Sequence, residues 1–139
     1  MGSRRKSREL ALQMLFHWDL NRGQTDWKAL FWDVHRAPDP VMAFTNTLVD
    51  GVLEHGEEID QLIEKHALNW KITRISNVDR NILRIAVFEL IYMSDIPSNV
   101  TLDEAIEIAK RYSDEQAPSF VNGVLDHLLK EESIARRGA

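Results

Sequence analysis

The sequence predicts an all-α fold of about seven helices arranged around one central apolar helix. Apolar residues recur at the helical period from end to end, and few segments alternate at the period of two that is typical of strands. The β-branched residues are scattered among strong helix formers. With 139 residues, 44% of them hydrophobic and 28% charged, the chain has the composition of a globular protein and room for one compact domain, residues 1–139.

Helix signals define the first half of the chain. A first helix is expected over about residues 3–20 because its apolar positions keep the helical period. Thr25 can cap a second helix. Asp39 then caps a third helix with Pro40 at its first position, and Gly56 separates this helix from a fourth.

The fifth helix is the most apolar part of the sequence. It is expected to begin at Ser76, whose spacing to Asp79 resembles a capping box. Residues 78–93 are apolar nearly all round. A helix with so little polar surface belongs at the centre of the domain.

Two further helices complete the prediction. Thr101 and Glu104 have the spacing of a second capping box, which opens the sixth helix. The seventh helix is expected to start near Pro118, because proline is favoured in the first helical turn. The tail, about residues 131–139, is polar and is expected to fray.

Positive charge is concentrated at the start of the chain. Residues 1–8 carry a local charge of +4 and no acid, from Arg4, Arg5, Lys6 and Arg8. The remainder holds 13 basic and 22 acidic side chains, a charge of -9. A basic arm on an acidic body is typical of a protein that binds a polyanion at one end, and the alternative is a merely solubilising terminus.

The first helix also carries aromatic and apolar side chains beside this charge. At about 100° per residue, one flank holds Arg4, Arg5, Leu12 and Phe16, with Arg8 next to them. Basic side chains can hold phosphates while a ring stacks on an unpaired base, so the flank predicts contact with single-stranded RNA. The alternative is that Leu12 and Phe16 only pack against a neighbouring helix.

Several kinds of chemistry find no support in the sequence. The absence of cysteine excludes disulfides, thiolate metal sites and cysteine nucleophiles, and it suits a reducing cytoplasm. There is no glycine-rich phosphate loop, HExxH motif or nucleophile elbow, and the five histidines fall on different predicted helices. No apolar stretch approaches the roughly 18 residues of a membrane span. We therefore expect no enzyme, no cofactor or metal, and no membrane partner.

Four blocks of the sequence resemble the NusB family of bacterial transcription antitermination factors. They occur in the family's order as RRKSRELALQMLF (4–16), VDRNILRIAVFEL (78–90), DIP with DEAIEIAK (95–110) and FVNGVLD (120–126). The resemblance implies an all-α fold of two small helical bundles packed together. It also implies a non-enzymatic factor that binds the boxA element of nascent RNA together with NusE, a small-subunit ribosomal protein.

The same resemblance implies further partners. Other Nus factors and RNA polymerase would join the complex during transcription of ribosomal RNA operons. The basic ribosomal protein would dock on the acidic body of this chain. Some family members self-associate by covering their RNA surface, so a homodimer is an open alternative.

By position, the resemblance assigns seven residues to RNA binding. The arginine-rich start corresponds to Arg4, Arg5, Lys6 and Arg8. The aromatic position of the first helix corresponds to Phe16, the acidic position opening the fifth helix to Asp79, and the aromatic position opening the seventh helix to Phe120. Spacing alone would place Phe120 in the core. Alanine at the three arginines is expected to weaken RNA binding without unfolding the domain.

Two rival functions stay open at the level of sequence. A similar helical domain is attached to RNA cytosine methyltransferases, so a stand-alone RNA-targeting module without antitermination activity is one alternative. The other is a protein adaptor whose basic terminus is incidental.

Overall fold

A computed structural model describes residues 2–23, 25–68 and 70–132, and these ranges contain helices, turns and no strand. The helices are α1 (Gly2–Leu20), α2 (Trp27–Val34), α3 (Asp39–Glu54), α4 (Gly56–His66), α5 (Asn77–Tyr92), α6 (Ser98–Tyr112) and α7 (Ala117–Glu131), with one 3-10 turn at Ile72–Arg74. The all-α prediction of seven helices is confirmed. The tail predicted to fray lies, from residue 133 onward, outside the described residues.

The helices pack as two bundles that share α5. Helix α1 packs against α2 and α3, while α4, α6 and α7 pack with α5. Helix α5 also lies against α1 and α3, and every residue from 81 to 90 is buried. The predicted central position of this helix is confirmed. None of the described helices combines the length and apolar character needed to cross a membrane.

The predicted helix starts are correct in one case and displaced in another. The Ser76 hydroxyl accepts a hydrogen bond from the Asp79 backbone N–H at 3.2 Å, as the capping-box spacing predicts. Helix α6 instead begins at Ser98, because the fixed φ of the preceding proline starts the helix earlier. Thr101 therefore lies inside α6, where its hydroxyl donates to the buried Glu89 at 2.9 Å.

Two other predicted caps are wrong by one residue. The N-cap positions of α2 and α3 are Asp26 and Pro38, and neither makes a side-chain capping hydrogen bond. Thr25 precedes the α2 cap, and Asp39 lies in the first turn of α3. A carboxylate there still interacts favourably with the positive end of the helix dipole.

A glycine allows α3 and α5 to approach closely. A Cβ atom at Gly51 would lie 2.1 Å from the Phe88 ring, a distance no side chain can tolerate. The Phe88 ring continues into a stack with Tyr92, on which His55 also stacks. The contact fixes α5 against the bundle that carries the basic start of α1.

Candidate nucleic-acid interface

The basic start of the chain forms the first two turns of α1 and is not uniformly exposed. Arg4 and Lys6 are exposed, and the Arg4 guanidinium lies 4.3 Å from the centre of the Phe44 ring. Arg5 donates to both carboxylate oxygens of Glu104, at 3.0 and 2.7 Å. This hydrogen bonding raises the pKa of Arg5 and lowers that of Glu104. Arg5 is thus ion-paired with Glu104 of α6, whereas Arg4 and Lys6 are exposed to solvent.

The structure corrects the expected placement of Arg8 on an exposed flank. Only 4% of Arg8 is exposed, and its guanidinium donates to Glu89 at 2.7 and 2.9 Å. A second carboxylate, Glu104, lies 3.6 Å away. A helical projection of α1 cannot show that α5 and α6 bring carboxylates to this flank. Arg8 is therefore a buried ion-pair partner that fixes α1 against α5. Direct RNA contact would require Arg8 to leave Glu89.

Phe16 forms one wall of an open, largely apolar groove of about 600 Å³. The ring is 38% exposed, whereas Leu12, on the same flank, is buried. Leu12 therefore packs inside the protein, whereas part of the Phe16 ring lies at the surface. The other walls include Gln13 of α1, Leu30 and Val34 of α2, Val78 of α5 and Tyr112 of α6.

Asp79 and Phe120 line a second groove, of about 280 Å³, together with Trp70 and Arg74. Phe120 is half-buried, and its ring meets that of Trp70 edge-on, with 6.5 Å between the ring centres. The Asp79 carboxylate accepts a hydrogen bond from the Ser113 hydroxyl at 2.6 Å. A carboxylate oriented in this way keeps further acceptor capacity for a donor that enters the groove.

The two grooves are lined by successive residues of the same segments. Val78 lines the Phe16 groove, and the next residue, Asp79, lines the Phe120 groove. Across from them, Tyr112 lines the Phe16 groove and the next residue, Ser113, holds Asp79. Asp79 and Ser113 thus directly follow, in sequence, residues that line the Phe16 groove. We call the surface made by both grooves and the basic start of α1 the interface face.

Helix α6 connects the basic start of α1 to the grooves. Its Glu104 holds Arg5, and its Arg111 donates to Glu9 further along α1. Tyr112 then reaches the Phe16 groove. Arg5, Phe16 and Asp79 are thus each linked to α6 or its C-terminal cap, and Phe120 shares a groove with Asp79, although these residues are far apart in sequence.

Sequence reasoning misses two aromatic residues of the interface face. Trp70 is not among the seven residues assigned from the sequence, although 49% of it is exposed. Trp70 lies in the α4–α5 connection, where no helical period indicates which side chains are buried. Tyr112 is 37% exposed and is the last residue of α6, a position whose exposure depends on the neighbouring helix. Within the described ranges, no group of three or more ligating side chains is arranged for a metal ion.

Comparisons with known proteins agree with this architecture. The family model described as the NusB family matches residues 5–130. A Myxococcus xanthus transcription antitermination protein NusB is 44% identical, over 92% of this chain and 95% of its own length. The solved structure of T. maritima NusB superposes with a TM-score of 0.84 at 37% identity, covering 92% of this chain and 91% of that one.

A further solved structure contains antitermination factors NusB and NusE in complex with double-stranded RNA. It matches with a TM-score of 0.81 and 34% identity, over 94% of this chain and 98% of the matched one. The family model covers most of the chain, and both sequence and fold agree with it. The chain therefore belongs to the NusB family.

Proposed function

We propose that this chain is a non-enzymatic transcription antitermination factor that binds RNA through the interface face, together with NusE. The observation that carries the proposal is that α6 links the basic start of α1, the Phe16 groove and the oriented Asp79 carboxylate of the Phe120 groove. The relatives named transcription antitermination protein NusB support the biological role. The similarity to a NusB protein solved with NusE and RNA supports both partners.

Each element of the face has a distinct task in this proposal. Arg4 and Lys6 contact phosphates, which supply most of the affinity and make it depend on salt. Phe16 and Phe120 stack on unpaired bases, as aromatic rings do in single-stranded RNA recognition. Asp79, oriented by Ser113, accepts hydrogen bonds from base edges. Arg8 acts indirectly by fixing α1 against α5.

The RNA is proposed to be the boxA element of nascent ribosomal RNA transcripts, bound in a complex with other Nus factors and RNA polymerase. NusE would occupy an acidic part of the surface, because ribosomal proteins are generally basic. Helices α3 and α4 offer exposed carboxylates for such a partner at Glu54, Glu57, Glu58 and Glu64.

The proposal is tested by fluorescence anisotropy with a short boxA-like RNA and a scrambled control, with and without NusE, at two salt concentrations. A preference for boxA that tightens when NusE is added supports antitermination. Equal, salt-sensitive binding to both RNAs would show only non-specific binding by the basic start of the chain. NusE binding without RNA binding would identify a protein adaptor. Light scattering is run in parallel, because a homodimer that covers the face would weaken RNA binding.

Alanine at both Arg4 and Lys6 is expected to flatten the salt dependence of RNA binding without unfolding the protein. For single strands, the slope of log affinity against log salt changes by about 0.7 for each phosphate that the protein no longer neutralises. Lys28→Ala is the matched control, because Lys28 pairs with Asp50 on α3 and is absent from the grooves. A salt slope equal to that of the unmodified protein would show that Arg4 and Lys6 do not contact RNA phosphates.

Leucine at Phe16 or Phe120 is expected to weaken boxA binding while leaving the salt slope unchanged. Stacking on one base contributes about 1–3 kcal/mol, which corresponds to roughly 5- to 150-fold in affinity. Tyr92→Leu is the control, since Tyr92 is 40% exposed but lies at the opposite end of α5 from Asp79. Equal affinities for the Phe120 variant and this control would contradict a stacking role for Phe120.

A further inference from the structure

Two histidines from distant parts of the sequence meet at the C-terminal ends of α4 and α7. The Nδ1 atoms of His66 and His127 are 2.8 Å apart. On the other side of its ring, His66 Nε2 lies 2.7 Å from an Oε2 oxygen of Glu132, which also accepts from Lys65 at 2.7 Å. Only 2% of His66 is exposed, whereas His127 is exposed.

Hydrogen-bond counting limits how many protons this cluster can hold. Hydrogen bonds from Lys65 and His66 lower the pKa of Glu132, so its ionised carboxylate accepts the Nε2 proton of His66. Neutral His66 then has only a lone pair at Nδ1, and His127 must donate the proton between the two Nδ1 atoms. One added proton is compatible with this bond, because an imidazolium can still donate to a neutral ring.

A second added proton is not compatible with it. Both Nδ1 atoms would then carry hydrogen, leaving no acceptor between two cationic rings whose nitrogens lie 2.8 Å apart. Among the described residues, the other charged groups around the pair are Lys65 and Glu132, which bind each other, and Asp126 and Lys130 of α7, which pair at 3.0 Å. Glu132 meets His66 at Nε2, on the other side of the ring, so it does not separate the two Nδ1 atoms.

We propose that His66, His127 and Glu132 form a proton-sensitive latch that holds the C-terminal ends of α4 and α7 together and opens when both imidazoles are protonated. Free imidazoles take up protons near about pH 6.5. Below that pH the unfolded chain can carry a proton on each ring, whereas the Nδ1–Nδ1 hydrogen bond of the closed latch has room for only one. Because the unfolded state binds more protons, the latch loses stability as the pH falls.

The latch borders the candidate interface. His66 and His127 line a groove of about 420 Å³ that also includes Trp70 and Phe120. Opening the latch would therefore change one wall of the surface that carries Phe120. This consequence rests on the proposed RNA-binding function, whereas the latch itself does not.

The latch is tested on the full chain without RNA, by urea denaturation between about pH 7.5 and about pH 5.5. Between about pH 6.5 and about pH 5.5, the unfolding equilibrium constant of the unmodified protein should rise about fivefold more than that of His127→Gln. In that variant the glutamine carbonyl can accept from a protonated His66, so the extra proton uptake disappears. His17→Gln, which removes an exposed histidine elsewhere, should keep the steep dependence.

Side-chain nitrogen NMR provides a second readout, which works even where a variant folds poorly. The latch requires His66 and His127 to titrate as a coupled pair, with the second proton accompanied by shifts in the amides of residues 126–132. Independent titration of the two rings, or equal pH dependence in the unmodified protein and His127→Gln, would overturn the proposal. Anisotropy with boxA RNA at both pH values then tests the coupling to the interface. The first two experiments use no RNA, so they test the latch even if the protein does not bind RNA.

Discussion

Alanine at Arg8 is expected to lower the free energy of unfolding by about 3–5 kcal/mol, the usual cost of removing one partner of a buried ion pair. Among the described residues, the substitution leaves the Glu89 carboxylate, whose side chain is 1% exposed, with only the Thr101 hydroxyl as a hydrogen-bond donor. It also opens a void between α1 and α5. Urea denaturation at neutral pH measures the effect directly.

Two controls separate the ion pair from the general loss of positive charge. Arg4→Ala removes an exposed arginine one turn earlier in α1 and should cost less than about 0.5 kcal/mol. Combining Arg8→Met with Glu89→Leu should recover most of the stability, because apolar residues of similar volume often replace a buried pair at little cost. An unchanged urea midpoint for Arg8→Ala would contradict the buried role.

The Arg8 result also changes how RNA binding can be tested. The sequence predicts that alanine at Arg4, Arg5 and Arg8 together weakens RNA binding without unfolding the domain. With Arg8 buried against Glu89, that triple substitution would destabilise the fold and confuse the two effects. Arg4 and Lys6 are the residues whose removal tests phosphate contact alone.

Features of the fold that depend on local sequence could be predicted from it. The apolar residues on nearly all sides of α5 and its Ser76 cap lie within a few turns of each other, so both features can be predicted from the sequence. The sequence misplaces the start of α6 because Thr101 is a good capping residue, yet its hydroxyl is used by Glu89 of another helix. A tertiary contact overrides local preference there.

The candidate site depends more strongly on contacts between distant residues. Arg8 meets Glu89 across 81 positions, and His66 meets His127 across 61. No spacing rule in the sequence indicates either pair. Phe120 is a similar case, because helical spacing predicts a core residue and only the family resemblance favours a functional one. Its half-buried position beside Trp70 is compatible with both descriptions.

Asp19 joins the end of α1 to α5, so its substitution is also expected to lower the free energy of unfolding strongly. Its carboxylate, 4% exposed, accepts from Arg80 at 2.8 Å, Arg84 at 2.9 Å and Arg22 at 2.9 Å. Burial by itself would raise the pKa of Asp19. The hydrogen bonds from Arg22 and Arg80 and the charge of Arg84 outweigh burial and lower this pKa from 3.8 to about 2.

The direction of this pKa fixes the pH at which Asp19 contributes. Because the folded pKa is lower than the unfolded one, the unfolded chain binds the proton first as the pH falls. The stabilisation is therefore fully present above about pH 5 and is lost progressively toward pH 2. The difference between 3.8 and about 2 corresponds to about 2 kcal/mol at neutral pH.

Asparagine at Asp19 is thus expected to lower the free energy of unfolding by about 2–3 kcal/mol near neutral pH, since it keeps the shape and removes the charge. The difference from the unmodified protein should shrink by about half at pH 3, where the unfolded carboxyl is mostly protonated. Urea midpoints at several pH values measure both effects. Glu107→Gln is the control, because this exposed carboxylate pairs only with Lys110 within the described chain, at 3.1 Å, and should contribute less than about 1 kcal/mol. A stability difference for Asp19→Asn that stays constant down to pH 3 would show that the charge of Asp19 is not what holds α1 to α5.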